Sequence, residues 1–282
     1  SGYVYDNPNA YYVLDAQNGI LSECRDRGYE LVIHPCSATN DNIVDELATM
    51  VKRSQLAGLI ISPPLSEMPD VLAALDELNI KYIRIISAAH VDDMKSPCVC
   101  IDDQNAAFEI TEHLIKQGHK HIAFLRGDEG HGSSHERKHG FLNALASNNM
   151  ETNPSYLIDG SYSFEFVVDA AKQLLALKNP PTAVFCCNDE IAAGVLFAAR
   201  LQGIDVPNQL AIAGFEDSPF SRQTWPKLTT AAQPTNLIAR TAASSLIQHL
   251  SQLKLAKGSQ AESPKLYFRP TLVVRESTEH VL

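Results

Sequence analysis

The chain has 282 residues, 45% of them hydrophobic and 20% charged, enough apolar sequence to bury one large core or two smaller ones. Its formal net charge of -10 gives it no general attraction for nucleic acid or for an anionic membrane surface. No apolar run is long enough to span a bilayer, and no basic stretch followed by an apolar one opens the chain as a secretory signal would.

Strand and helix patterns alternate from the start. The chain opens at Ser1-Gly2 and passes at once into a strand pattern at residues 3–5, which reads as the trimmed end of a longer protein. Residues 11–27 read as a helix, with Tyr12, Ala16, Ile20 and Cys24 stacked four apart. Gly28 stops it, and 29–34 is the next strand. Asn40 is placed to cap a helix running to about residue 55. An apolar strand at 58–61 is broken by Ser62-Pro63-Pro64; a short helix at 70–78 and a strand at 80–86 follow.

A second series begins where Cys98 and Cys100 alternate along a strand. Asp103 is placed to cap a helix that ends at Gln117-Gly118. Strands are expected at 121–125, 156–158, 182–187 and 210–213, with helices at 134–148, 163–177 and 190–202. A last helix, 235–253, carries Ala239, Ala243, Leu246, Leu250 and Leu253 on one stripe; a polar loop at 254–264 and a strand at 266–274 close the chain. Helix, glycine, strand recurs at Gly28, Gly118 and Gly203, and glycine ends a helix cheaply in the left-handed conformation. Alternating elements with near-continuous apolar strands imply parallel sheets covered by helices, and the βα units are too many for one ordinary open sheet. The expected fold is therefore α/β, with two doubly wound parallel-sheet domains.

The six cysteines include a Cys98/Cys100 pair on one face of a strand and the adjacent Cys186-Cys187. Neither spacing suits an ordinary disulfide, and no C-x-x-C occurs. Free buried thiols in a reducing cytoplasm are the expectation.

Two segments suggest chemistry. In the first, 183–185 is an apolar strand that ends in Asn188-Asp189 and runs straight into a helix, Glu190-Ile191-Ala192-Ala193-Gly194. Open α/β sheets bind ligands there, at the carboxyl end of a strand beside a helix N-terminus. The second, His135-Glu136-Arg137-Lys138-His139, is formally the H-E-x-x-H zinc-hydrolase pattern. Its intervening residues are charged, no third ligand is marked, and Arg137 points away from both histidines on a helix. There is no G-x-S-x-G, P-loop or G-x-G-x-x-G. No catalytic residue, metal or cofactor is assigned.

The Asn188 run joins a series of motifs spread over essentially the whole chain. These are residues 112–124 (Glu112-His113-Leu114 through Ala123-Phe124), Arg137-Lys138-His139-Gly140-Phe141, Asn188-Asp189-Glu190-Ile191-Ala192, Ile204-Asp205-Val206-Pro207, Gly214-Phe215-Glu216-Asp217, Leu228-Thr229-Thr230, and Leu272-Val273-Val274-Arg275-Glu276-Ser277-Thr278. In this order the series resembles the lactose/galactose repressor (LacI/GalR) family, without that family's N-terminal helix-turn-helix and hinge helix.

The resemblance implies a periplasmic-binding-protein-like fold of type I. Its two subdomains would be joined by three crossovers near residues 100–103, 233–236 and 269–271, giving 1–100 with 235–269 and 101–234 with 270–282. A ligand would be enclosed between the subdomains by a hinge motion. By the same resemblance Arg137 donates to sugar hydroxyls and Tyr162 stacks on the ligand; Asn188 either binds a hydroxyl or is a plain helix N-cap, and both roles are met if Asp189 caps. Glu216 stands where the family usually has Asp. Asp6, Asn7, Tyr11 and Tyr12 occupy the first strand-to-helix loop, where Tyr11 is the better ligand candidate. Asp102 and Gln233 lie at crossovers, and Phe215 could add an apolar wall or belong to the core. The acidic residue that the family often has near Ile86 is missing.

The implied function is the effector-binding, dimerising core of a cytoplasmic transcriptional repressor. It would bind a carbohydrate, with a purine as another option, form a homodimer, and reach operator DNA through a segment absent from this chain. A periplasmic sugar-binding protein of a transporter shares the fold and the cleft and is the main rival; a zinc hydrolase is the second.

Overall fold

A computed structural model describes residues 2–6, 10–87, 96–160, 163–255 and 265–279. The side chains of Asp6 and Leu253, all of Asn7 and Tyr162, and most of the loop expected at 254–264 fall outside the described residues.

In chain order the first elements are β1 (Gly2–Asp6), α1 (Ala10–Asp26), β2 (Val32–Cys36), α2 (Ile43–Arg53), β3 (Leu59–Ile61), a 3-10 turn (Leu65–Glu67), α3 (Pro69–Glu77), β4 (Tyr82–Ser87) and β5 (Cys98–Ile101). Next come α4 (Asp103–Lys116), β6 (Ile122–Leu125), α5 (Gly132–Ser147), β7 (Leu157–Ile158), α6 (Phe164–Leu175), β8 (Ala183–Cys186), α7 (Asp189–Leu201), β9 (Ala211–Ala213), α8 (Pro219–Gln223) and β10 (Thr230–Ala232). The chain ends with α9 (Thr235–Leu255), β11 (Lys265–Phe268) and β12 (Thr271–Val273). It divides into two compact units, Ser1–Ile101 with Pro234–Phe268, and Asp102–Gln233 with Arg269–Leu282.

The first unit is built on a sheet of order β11-β5-β4-β3-β1-β2 whose neighbours all run parallel. Side chains alternate between its faces. One face buries Tyr3, Ile60, Ile83, Ile85 and Val99 against Ala16, Ile20 and Cys24 of α1 and Ala239, Ala242, Ala243 and Leu246 of α9. The other buries Val4, Leu59 and Ile61 against Leu47 and Met50 of α2 and Val71, Leu72 and Leu75 of α3. Being covered on both faces explains why these strands read as unbroken apolar runs.

The second unit has a parallel sheet of order β7-β6-β8-β9 and a separate antiparallel pair, β10 with β12. Its core centres on Phe124, Phe141 and Phe185, with Phe124 centroids 5.2 Å from each of the other two rings. Helices α4 and α5 touch across Gly140, where a Cβ would stand 2.1 Å from the Gln104 carbonyl oxygen. That backbone contact requires glycine.

Gly28, Gly118 and Gly203 have φ of 71°, 93° and 69° and close α1, α4 and α7 as expected. After α1, the amide of Tyr29 donates to the Cys24 carbonyl at 2.8 Å. Residue 29 is thus occupied in closing the helix, and β2 begins at Val32 instead of 29. Three further expectations are corrected. Asn40 does not cap α2: its Oδ1 accepts from the Asn42 amide and its Nδ2 donates to Glu46, which delays the helix to Ile43. Asp102, not Asp103, caps α4, accepting from the Asn105 amide at 3.2 Å. The strand expected at 266–274 is two strands in different sheets, because Arg269-Pro270 interrupts it between the units. Helix α8 and strand β10 were not foreseen as elements.

Candidate functional site

The carboxyl ends of β6, β8 and β9 and the start of α5, α7 and α8 gather polar side chains within the second unit. Arg137 lies in the second turn of α5, and only 4% of it is exposed. Its Nε donates to Asp103 Oδ1 at 2.8 Å and its Nη1 to the Cys187 carbonyl at 2.7 Å. Nη2 donates to Gln233 Oε1 at 3.4 Å, and Glu216 Oε1 lies 3.7 Å from Nη1. The guanidinium carbon sits 3.7 Å above the centre of the Phe215 ring. This is a planar cation fixed on every side: carboxylates on two edges, a carbonyl on a third, an aromatic face beneath. Its burial excludes a solvated helix arginine.

Asn188 caps α7, and its Oδ1 accepts from the Ile191 amide at 2.8 Å. Its NH2 makes no hydrogen bond among the described residues. Of the two residues, Asn188 is the cap and Asp189 is not. Asp189 turns inward, where its carboxylate accepts from the Ser218 amide at 2.7 Å and from Thr230 Oγ1 at 2.7 Å. The first helical position puts its side chain beside β9, against Gly214, so it ties three segments together. Burial pushes the Asp189 carboxyl up to about 7; the Thr230 hydrogen bond opposes this and the nearby Glu216 charge adds to it.

Glu216 and Asp217 follow β9 with φ of 100° and 56°, the left-handed region that non-glycine residues seldom adopt. The backbone is held there. The Glu216 amide donates to the Ala231 carbonyl at 2.8 Å, and Asp217 Oδ1 receives Arg275 Nη2 and Ser221 Oγ, each at 2.7 Å. The result turns the Glu216 side chain toward Arg137.

Of the residues singled out from sequence, the structure therefore brings together Arg137, Phe215, Glu216 and Gln233, with Asn188 beside them in the chain. Phe215 is fully buried, so it is core and aromatic floor at once. Asp102 is spent on capping α4. In the first unit, Asp6 ends β1, and Tyr11 stands in the first turn of α1 with 42% of its surface exposed. Tyr162 lies outside the described residues. Asp103 and Asp189 are site residues whose roles sequence reasoning missed. The signal was there: Asp102-Asp103 and Asn188-Asp189 each put two polar side chains at a helix start that needs one cap.

His135 and His139 are exposed on α5 while Arg137 is buried. The Nε2 of His135 pairs with the Glu129 carbonyl at 2.9 Å, and His139 lies 3.7 Å from Glu136.

Two doubly wound parallel units, with a polar cluster at the strand ends of one, define the periplasmic-binding-protein-like class. The family profile described as periplasmic binding protein-like domain matches residues 111–278. The probable HTH-type transcriptional repressor ExuR of Bacillus subtilis (strain 168) is 33% identical over 213 residues, 73% of this chain and 62% of that protein. The arabinose metabolism transcriptional repressor of Geobacillus stearothermophilus is 32% identical over 93% of this chain and 72% of that protein. A crystal structure of a putative LacI transcriptional regulator from Bacillus cereus subsp. cytotoxis superposes with a TM-score of 0.86 at 25% identity, covering 100% of this chain and 99% of that one. The chain belongs to the lactose/galactose repressor (LacI/GalR) family of transcriptional regulators. It spans less than two thirds of the Bacillus subtilis relative's length.

Proposed function

We propose that this chain is the effector-binding and dimerising core of a transcriptional repressor, and that its effector is a neutral carbohydrate. The observation that carries the reading is the buried Arg137, counter-charged by Asp103 and lying on Phe215 beside Glu216, Gln233 and Asn188. An arginine already neutralised by a buried carboxylate has little charge to spare for an anion. Its arrangement suits uncharged hydroxyls, which donate to Glu216 and accept from Arg137 or the Asn188 NH2. Phe215 serves this arrangement from below, holding the guanidinium in place. The arabinose metabolism repressor's name points to the same class. Asp6, Tyr11 and Tyr162 are carried as further contacts by family resemblance alone.

Function then follows from linkage. The effector binds one conformational state in preference to the other, and the full-length protein, acting from the cytoplasm, changes its operator affinity accordingly. Release of DNA on effector binding is the default sense. Dimerisation is supported by large apolar side chains that the second unit leaves in solvent: Phe197 (47% exposed), Leu201 (58%) and Trp225 (70%). Trp225 also edges a groove of about 480 Å³ lined by Leu196, Ile204 and Val206.

Among the described residues no helix is long and apolar enough to cross a membrane. The test is operator binding by the full-length protein with and without a panel of sugars. A sugar that changes operator affinity supports the reading, and no change across the panel overturns it.

A further inference from the structure

We propose that Cys98 and Cys100 form a redox-responsive dithiol that peroxide converts to an intrastrand disulfide. The geometry carries this. The two residues share one face of β5, and their sulfurs lie 3.4 Å apart. In the parallel register, Cys98 stands directly between Arg84 of β4 and Lys265 of β11. Two cations thus flank one thiol on the same sheet face. Cys100 stands between Ile86 and Tyr267.

This pair belongs to neither main core of the first unit; with Ile86 it forms a small cluster of its own. Both thiols are covered, yet β11 is the edge strand, and its Lys265 and Tyr267 are exposed.

Thiolate character decides which cysteine reacts first. The hydrogen bond from Cys100 pulls the Cys98 thiol below its ordinary range against the effect of burial, and the charges of Arg84 and Lys265 add to the pull. Cys98 is the attacking sulfur. Its thiolate displaces hydroxide from hydrogen peroxide and becomes a sulfenic acid. The Cys100 thiol attacks that sulfur, loses its proton and expels the oxygen as water. Two electrons leave the dithiol, and one peroxide becomes two waters.

Residues two apart on a strand are about 6.6 Å apart at Cα. That is near the long limit of about 6.8 Å for a disulfide. The bridge shortens β5, is strained, and is readily reversed by a monothiol such as glutathione. Cys24, Cys36, Cys186 and Cys187 lie outside this cluster and serve as internal controls.

The test treats the intact native protein with hydrogen peroxide, blocks remaining thiols with a maleimide, and digests with trypsin. The peptide 96–116 holds Cys98 and Cys100 and no other cysteine. The expected product is that peptide two hydrogens lighter, unlabelled, and returned to its dithiol form by glutathione. Lys265→Gln, at an exposed position, should slow its formation several-fold with the fold intact. A peptide that stays fully labelled overturns the proposal, as does Cys98 oxidised to sulfinic acid without a bridge.

Discussion

At the scale of single residues, the second unit's polar cluster is a problem in charge balance. Arg137 and Asp103 are both buried, with side chains 5% and 1% exposed. Removing one partner of such a pair strands the other and costs about 3–5 kcal/mol. Arg137→Ala should therefore lower the unfolding free energy by about that much, and Asp103→Ala similarly. The double variant should cost clearly less than the sum of the two, as read in a denaturant-melt cycle. Ligand loss in Arg137→Ala alone would thus be ambiguous. Glu216, 15% exposed and outside the closest ion pair, is the cleaner probe.

Asp189 gives the same cluster a pH signature. Its carboxyl titrates at about 7 in the fold against 3.8 in the free chain. The folded state keeps a proton that the unfolded state releases. The associated stability is complete below pH 3.8 and is lost as pH rises through about 7. Denaturation at a series of pH values should show this fall, and Asp189→Asn should flatten it. An unchanged slope in the variant would remove Asp189 as its source.

Among the elements, the helix ends were the most legible part of the sequence and the most instructive where reading failed. Glycine after α1, α4 and α7 marked real ends because only a left-handed residue allows the closing bonds. Gln55, Asn79 and Asn149 do the same after α2, α3 and α5 without glycine, so those ends carried a weaker signal. At Asp102-Asp103 the helix start was misassigned by one residue; at Asn188-Asp189 the sequence leaves both residues open as the cap. In each doublet the first residue caps and the second turns inward, toward partners in Arg137 and Thr230 that lie 34 and 41 residues away. Distant partners leave no local trace. The same is true of the short β10, which is recognisable only through its pairing with β12.

Contact between α4 and α5 is what lets Arg137 reach Asp103, and it depends on Gly140. A methyl group there meets backbone, so Gly140→Ala should cost about 1–3 kcal/mol, measured by chemical denaturation. Gly118→Ala meets no atom within 4 Å and should lose only the smaller cost of its positive φ.

For the whole molecule, the family's fold was readable because βα units repeat with apolar strands throughout. The surface was not. The fold leaves the large apolar side chains of Phe197, Leu201 and Trp225 in solvent. If they form a dimer face, Leu201→Asp should convert a sedimenting dimer to monomer while leaving the melting temperature of the isolated subunit little changed. A wild-type monomer at micromolar concentration would count against a dimer face at these residues.

The most direct test of the central claim, that the Arg137–Glu216 cluster binds a carbohydrate effector, is a thermal-shift titration. The panel holds mono- and disaccharides, β-glucosides, sugar phosphates and purines, applied to the wild type and Glu216→Gln in parallel. The account predicts a neutral sugar that raises the wild-type melting temperature, with the rise lost in Glu216→Gln although the unliganded melting temperatures agree. A panel in which only purines or phosphates stabilise, or a sugar that stabilises both proteins equally, would contradict it.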